Sequence, residues 1–179
     1  MIQNPYESGA QKSIPAVLVY LKRRNSKGQC EILMMNRDGR KAGDYHKGKW
    51  NGLGGKFEKN ESPEECAVRE IKEECGLELD LKDLRSLGVI HFPNFKAHKN
   101  EDWMVFLFTA FIKDSSAVAT ESAEGGLAWI LEEEVMSLPL WAGDRHFFPL
   151  ILKEEPFMAT IWYEGDKVVK HSVTAMKSV

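Results

Sequence analysis

Cysteine is scarce in this sequence: 179 residues hold only Cys30, Cys66 and Cys75. Their odd number and their spacing, which fits no metal-binding pattern, argue against a disulfide framework and for a reducing, cytoplasmic setting. Long apolar runs are missing too. Stretches such as Val105–Ile112 fall far short of the ~20 residues that a membrane-spanning helix needs, so no membrane partner is expected. Met1–Ser13 is polar and lacks the apolar segment of a secretory signal, so no export is expected. Basic charge is not in excess. The net charge of −3 supplies no field that would draw the chain to duplex nucleic acid or to anionic lipid. Internal repeats and low-complexity tracts are absent as well.

What is there is the composition of an ordinary globular domain, 43% hydrophobic and 28% charged, and long enough for one sizeable core. We read residues 1–13 as a loose arm and 14–179 as a single domain. Ile14–Leu21 and Cys30–Asn36 carry the β-branched, partly alternating pattern of strands, joined through Asn25–Gln29. A loop, Arg37–Lys49, leads into the glycine-dense segment Trp50–Lys56. Further strands are expected at Ser86–Phe92, Trp103–Ile112 and Leu127–Leu131. A helix is expected at Asp144–Leu152, followed by a hairpin of Phe157–Tyr163 and Lys167–Val173 around Glu164-Gly165-Asp166. Strands mixed with two well-separated helices favour an α+β fold or an α/β/α sandwich.

The best-specified element is a helix over Pro63–Cys75. Ser62 is a good N-cap, Glu65 completes a capping box, Pro63 takes the first helical position and Gly76 supplies the stop. On this helix Glu70, Glu73 and Glu74 stand at i, i+3 and i+4 and share an arc of roughly 100°. Ala67, Val68, Ile71 and Cys75 fill the neighbouring arc and can face a core, and packing is the expected role of Cys66 and Cys75. Like charges at this spacing repel, and Glu73 and Glu74 lie near the helix C-terminus, the wrong end for anions. Fold stability gives no reason for that arrangement, whereas a divalent cation with hard oxygen ligands would. The bland alternative is a solvated acidic face. Against it stand Gly54-Gly55, which let backbone approach a ligand closely, and Glu61, placed to return to Arg69.

The segment Gly55-Lys56-Phe57-Glu58-Lys59-Asn60-Glu61-Ser62-Pro63-Glu64-Glu65-Cys66-Ala67-Val68-Arg69-Glu70-Ile71-Lys72-Glu73-Glu74-Cys75-Gly76-Leu77 resembles a complete Nudix box. That family's pattern is Gly, five residues, Glu, seven residues, Arg-Glu, an aliphatic, any residue, Glu-Glu, any residue, Gly and an aliphatic, and every fixed position is matched. The resemblance implies an α/β/α sandwich with a mixed central sheet. It also implies Mg²⁺, or Mn²⁺, and hydrolysis of a nucleoside diphosphate linked to another group. Carried over, Glu70, Glu73 and Glu74 become metal ligands, the Gly54 carbonyl adds another, and Arg69 pairs with Glu61 to orient the helix. Glu124, just before the strand Leu127–Leu131, matches a loop acid that reaches the metal site in the family; an exposed loop carboxylate is its other reading. Either Glu73 or Glu124 would take the proton of the attacking water.

Two flanks bear on the substrate. Trp50-Asn51-Gly52-Leu53-Gly54-Gly55-Lys56 and Leu140-Trp141-Ala142-Gly143-Asp144-Arg145-His146-Phe147-Phe148-Pro149-Leu150 are similar to MutT-type enzymes that remove oxidised purine nucleoside triphosphates. The resemblance implies that Asn51, Trp141 and Asp144 hold a purine, with Gly54, Gly55 and Lys56 near the phosphates and Arg37 a further phosphate contact. dGTP or 8-oxo-dGTP would then yield the monophosphate and pyrophosphate. The family's acidic pair is broken here, because its first member is Gly143. Alternative roles stay open: Trp141 as core, Asp144 as the cap of its helix, Asn51 as a turn residue. His46, Lys47 and Lys49 could line the phosphate approach or form a solvated loop; His91, His98 and His146 have no assigned role. Rival readings are a Nudix enzyme for ADP-ribose, a nucleotide sugar or 5′-triphosphate RNA, and a non-catalytic nucleotide sensor.

Overall fold

Alternation along a strand sends successive side chains to opposite faces of its sheet, and in this chain both faces find a cover. The computed structural model describes residues 4, 6–38, 47–113, 118–119 and 121–176. Among the described residues eight strands form one sheet: β1 (Lys12–Arg24), β2 (Cys30–Asn36), β3 (Trp50–Asn51), β4 (Arg85–Lys96), β5 (Glu101–Phe111), β6 (Gly126–Leu131), β7 (Phe157–Glu164) and β8 (Lys167–Ala175). Their order is β3-β2-β1-β5-β4-β7-β8, with β6 also paired to β2. β1 runs parallel to β5, and β4 parallel to β7. The other pairings are antiparallel. The sheet is therefore mixed, as the family resemblance implies.

Val17, Val19 and Leu21 of β1 join Leu33 and Met35 of β2 on one face, against Cys66, Ala67, Ile71 and Cys75 of the helix α1 (Pro63–Cys75). Tyr20, Ile32 and Met34 point the other way, against Phe147, Phe148 and Ile151 of α3 (Asp144–Leu152). Burying each such phenylalanine stabilises the fold by about 1.5–3 kcal/mol. Between them in chain order comes α2 (Glu132–Val135), a single turn whose Val135 joins the core on the α3 side. The result is the expected α/β/α sandwich. Cys66 and Cys75 are fully buried in its core.

α1 has the bounds read from the sequence. Ser62 Oγ accepts from the Glu65 N–H at 3.2 Å, the Glu65 carboxylate accepts from the Ser62 N–H at 2.8 Å, and Gly76 closes the helix at φ 76°. Other elements differ. β1 starts at Lys12 rather than Ile14 because its parallel pairing with β5 begins at Lys12 and Glu101. Ahead of it, Tyr6 and Gln11 donate to the carboxylate of Asp102. β4 runs on past Pro93 to Lys96 through a register shift that the strand pattern does not reveal. β3 lies inside the glycine-dense segment, where pairing with Met35 and Asn36 makes a strand that composition hides.

Candidate active site

The glycine segment is bridged onto β1. Val19 and Leu53 exchange backbone hydrogen bonds of 2.7 and 3.0 Å, and the Val17 N–H donates to the Gly55 carbonyl at 2.8 Å. Side chains would block this contact. At Gly54, with φ 146°, a Cβ would stand 2.2 Å from the Val17 carbonyl oxygen; at Gly55 it would stand 2.2 Å from Glu70 Oε1. Glycine therefore lets the acidic face of α1 lie directly against backbone. The Gly54 N–H donates to Glu74 Oε2 at 2.8 Å, so the backbone of the glycine segment contacts the acidic face directly.

The carboxylates differ in setting. Glu74 is buried, Glu70 half-buried, and Glu73 exposed. Burial pushes the Glu74 carboxyl up to about 8, helped by repulsion from Glu70 and Glu124 and opposed by the Gly54 amide. Glu70 is also raised, first by burial, against the pull of Arg69. Arg69 reaches Glu61 at 2.6 and 3.0 Å, Glu70 at 2.8 Å, Glu73 at 3.3 Å and the Lys56 carbonyl at 3.0 Å. Glu124, from the loop before β6, pairs with Arg37.

Among the described residues, no three acidic, histidine or cysteine side chains are grouped so as to hold a metal ion; Arg69 and the Gly54 amide bond to their oxygens instead. The donor set nonetheless fits a hard divalent cation. It offers carboxylate oxygens, the type Mg²⁺ prefers, and its two least exposed members are penalised as anions until a positive charge neutralises them.

The ion pair behind this face has its own pH signature. Hydrogen bonding to Arg69 lowers the Glu61 carboxyl from 4.5 to about 2. A depressed folded value stabilises the protein above the unfolded value and loses that contribution as pH falls through the folded one. The stabilisation therefore fades between pH 4.5 and about 2. In Arg69→Ala the Glu61 midpoint, followed by NMR, is expected above 4, near the ordinary range for Glu; a midpoint still near 2 would refute the pairing.

One cavity of about 150 Å³ adjoins this face, and its lining includes Glu74, Arg37, Gly54 and Gly55 together with Asn51, Trp141 and Asp144. Typical drug-sized pockets run to ~300–1,000 Å³, so this one suits a flat ring with the rest of the ligand outside. Burial pushes the Asp144 carboxyl up to about 7, against a backbone hydrogen bond at Trp141 and the charges of Lys49 and Arg145. Asp144 is the first residue of α3 and Gly143 takes the N-cap position, so the capping reading of Asp144 falls away. Phe92, Phe95, Trp103, Phe147 and Tyr163 add an aromatic wall that no motif in the sequence marks. These residues read as ordinary strand or core positions, and the pattern does not say at which end of the sheet a cavity opens.

Lys56 Nζ lies 5.1 Å from the Trp103 ring centroid. Lys49 donates to the Leu140 carbonyl at 3.3 Å and lies over Trp141. His46 is outside the described residues.

Comparison with known proteins agrees with this geometry. The NUDIX domain model matches residues 12–151. The oxidized purine nucleoside triphosphate hydrolase of Mus musculus is 30% identical over 141 residues, 78% of this chain and 86% of that protein. Its namesake from Danio rerio is 31% identical over 142 residues, 79% and 87% respectively. The MutT protein structure from Bacillus halodurans superposes with a TM-score of 0.73 at 24% identity, covering 89% of this chain and 97% of that one, which is likeness of fold. Among the described residues no helix is long and apolar enough to cross a membrane. With the box complete, the sandwich formed and the domain model matched over most of its length, this chain belongs to the Nudix family of hydrolases.

Proposed function

We propose that the chain hydrolyses a purine nucleoside triphosphate, dGTP or its 8-oxo form, to the nucleoside monophosphate and pyrophosphate. The observation that carries this reading is a cavity whose lining brings Trp141, Asn51 and Asp144 together with Glu74 and Arg37. The names of the mouse and zebrafish relatives point the same way.

In this reading Trp141 stacks on the base, Asn51 pairs with its edge, and Asp144, whose desolvated carboxyl can carry a proton near neutral pH, can donate as well as accept. Gly54 and Gly55 admit the phosphates, with Arg37 and Lys56 countering their charge. Glu70, Glu73, Glu74 and Glu124, with the Gly54 carbonyl, would hold Mg²⁺ or Mn²⁺. Bound there, such an ion supplies neutralisation of the phosphate oxygens and alignment for in-line attack by water. Arg69 and Glu61 keep the helix face in place. Glu73 or Glu124 takes the proton of the water.

A panel of dGTP, 8-oxo-dGTP, dATP and ADP-ribose tests the substrate. At least tenfold higher kcat/KM on the purine triphosphates is expected, and preference for ADP-ribose would overturn the reading. Base–aromatic stacking is worth about 1–3 kcal/mol. Trp141→Ala should therefore raise KM by roughly fivefold to a hundredfold with a smaller effect on kcat; an unchanged KM in steady-state kinetics would remove Trp141 from the pocket.

A further inference from the structure

Gly143 lies between Trp141 and Asp144, the residues assigned above to the base, and has no side chain with which to cap α3. Its buried N–H is one of the donors that a helix leaves unpaired at its start. Tyr163 of β7 meets it from across the fold: the Gly143 N–H donates to Tyr163 Oη at 2.7 Å. The fit is tight. A Cβ at position 143 would stand 2.4 Å from that oxygen and 3.0 Å from Ile161 Cγ2. The Tyr163 ring meets Trp141 edge-on, with centroids 6.2 Å apart and planes at 87°, and faces the cavity beside Phe95. One side chain thus steadies both the backbone before Asp144 and the ring of Trp141.

We propose that Tyr163 is the positioning residue that sets base selectivity in this chain, and that position 143 is glycine in order to admit its hydroxyl. The proposal rests on the purine reading above and deepens it. A pocket built this way presents one carboxyl group, Asp144, at the base end, with a phenol occupying the space that a side chain at 143 would need.

The test is a double-mutant cycle. Tyr163→Phe keeps the ring and strands the Gly143 N–H, so KM for dGTP should rise about five- to tenfold, with kcat changing less. The wild-type ratio of kcat/KM for dGTP over dATP should move towards one. Gly143→Ala drives its methyl into the phenol and should raise KM at least as much. In Gly143→Ala/Tyr163→Phe the 2.4 Å clash with the hydroxyl is gone and only the contacts of 3.0 and 3.1 Å with Ile161 Cγ2 and Tyr163 Cζ remain, so KM should fall below that of Gly143→Ala alone, a non-additive result. Unchanged KM and base ratio in Tyr163→Phe, even with a lowered Tm, or an additive double variant would overturn the proposal. Wild-type protein that cleaves no purine triphosphate would refute the purine reading instead, and the same cycle on the substrate it does cleave would still decide the role of Tyr163.

Discussion

Glu74→Gln is expected to lower kcat of the magnesium-dependent reaction by about two to three orders of magnitude while leaving the protein as stable as before or more so. The lost rate corresponds to several kcal/mol of charge stabilisation at the phosphate. Stability moves the other way because Glu74 is buried with only 8% of its surface exposed, and is repelled by Glu70 and Glu124. The amide keeps the shape and can still accept from the Gly54 N–H. The sign follows from linkage. A carboxyl whose folded value stands near 8, above its ordinary 4.5, favours the fold at low pH and loses that contribution as pH rises between those values. The stability gain of Glu74→Gln, measured by denaturant unfolding without divalent ions, should therefore grow from pH 4.5 to about 8 and level off above. A variant that is both inactive and unfolded, or fully active, would contradict the assignment.

Gly54→Ala carries the second large effect. The new methyl would meet the Val17 carbonyl at 2.2 Å, in a backbone conformation, φ 146°, that residues with side chains rarely adopt. Strain of this kind and forced repacking each cost about 1–3 kcal/mol, so a loss of about 3 kcal/mol is expected. For a chain of this size that corresponds to a fall in Tm of roughly 6–12 °C. Turnover should drop with it, since the shifted loop carries the amide that holds Glu74. Gly126→Ala is the control: its Cβ would meet nothing within 4 Å, and a change within about 0.5 kcal/mol is expected. Thermal unfolding and turnover of the two variants, side by side, separate a built contact from ordinary glycine flexibility.

How much of this could be read from residues alone depends on how local the signal is. α1 was fully legible, because cap, capping box, first-turn proline and terminal glycine are all encoded within the element and its two flanking residues. The acidic face followed, since helical spacing alone puts Glu70, Glu73 and Glu74 together. The proximity of Glu124 was suggested only by family resemblance, and it depends on β6 pairing with β2 beside Arg37. The aromatic wall was not legible. Phe92, Phe95, Trp103 and Tyr163 come from three strands, β4, β5 and β7, and nothing in their own segments says that they meet. The absence of a side chain at Gly143 was visible, but its reason was not, because the reason is a hydroxyl twenty residues further along the chain. Long-range pairing governs all of these cases, and periodicity within a single strand carries no record of it.

In the function proposed above, the acidic face of α1 grips a divalent cation against a polyphosphate. Titration of Mn²⁺ followed by electron paramagnetic resonance, with and without a non-hydrolysable purine triphosphate, tests it most directly. The wild-type protein should deplete the free Mn²⁺ signal beyond what nucleotide alone achieves, and Glu74→Gln should weaken that depletion at least tenfold. Equal free Mn²⁺ in the presence of either protein and of nucleotide alone would contradict it.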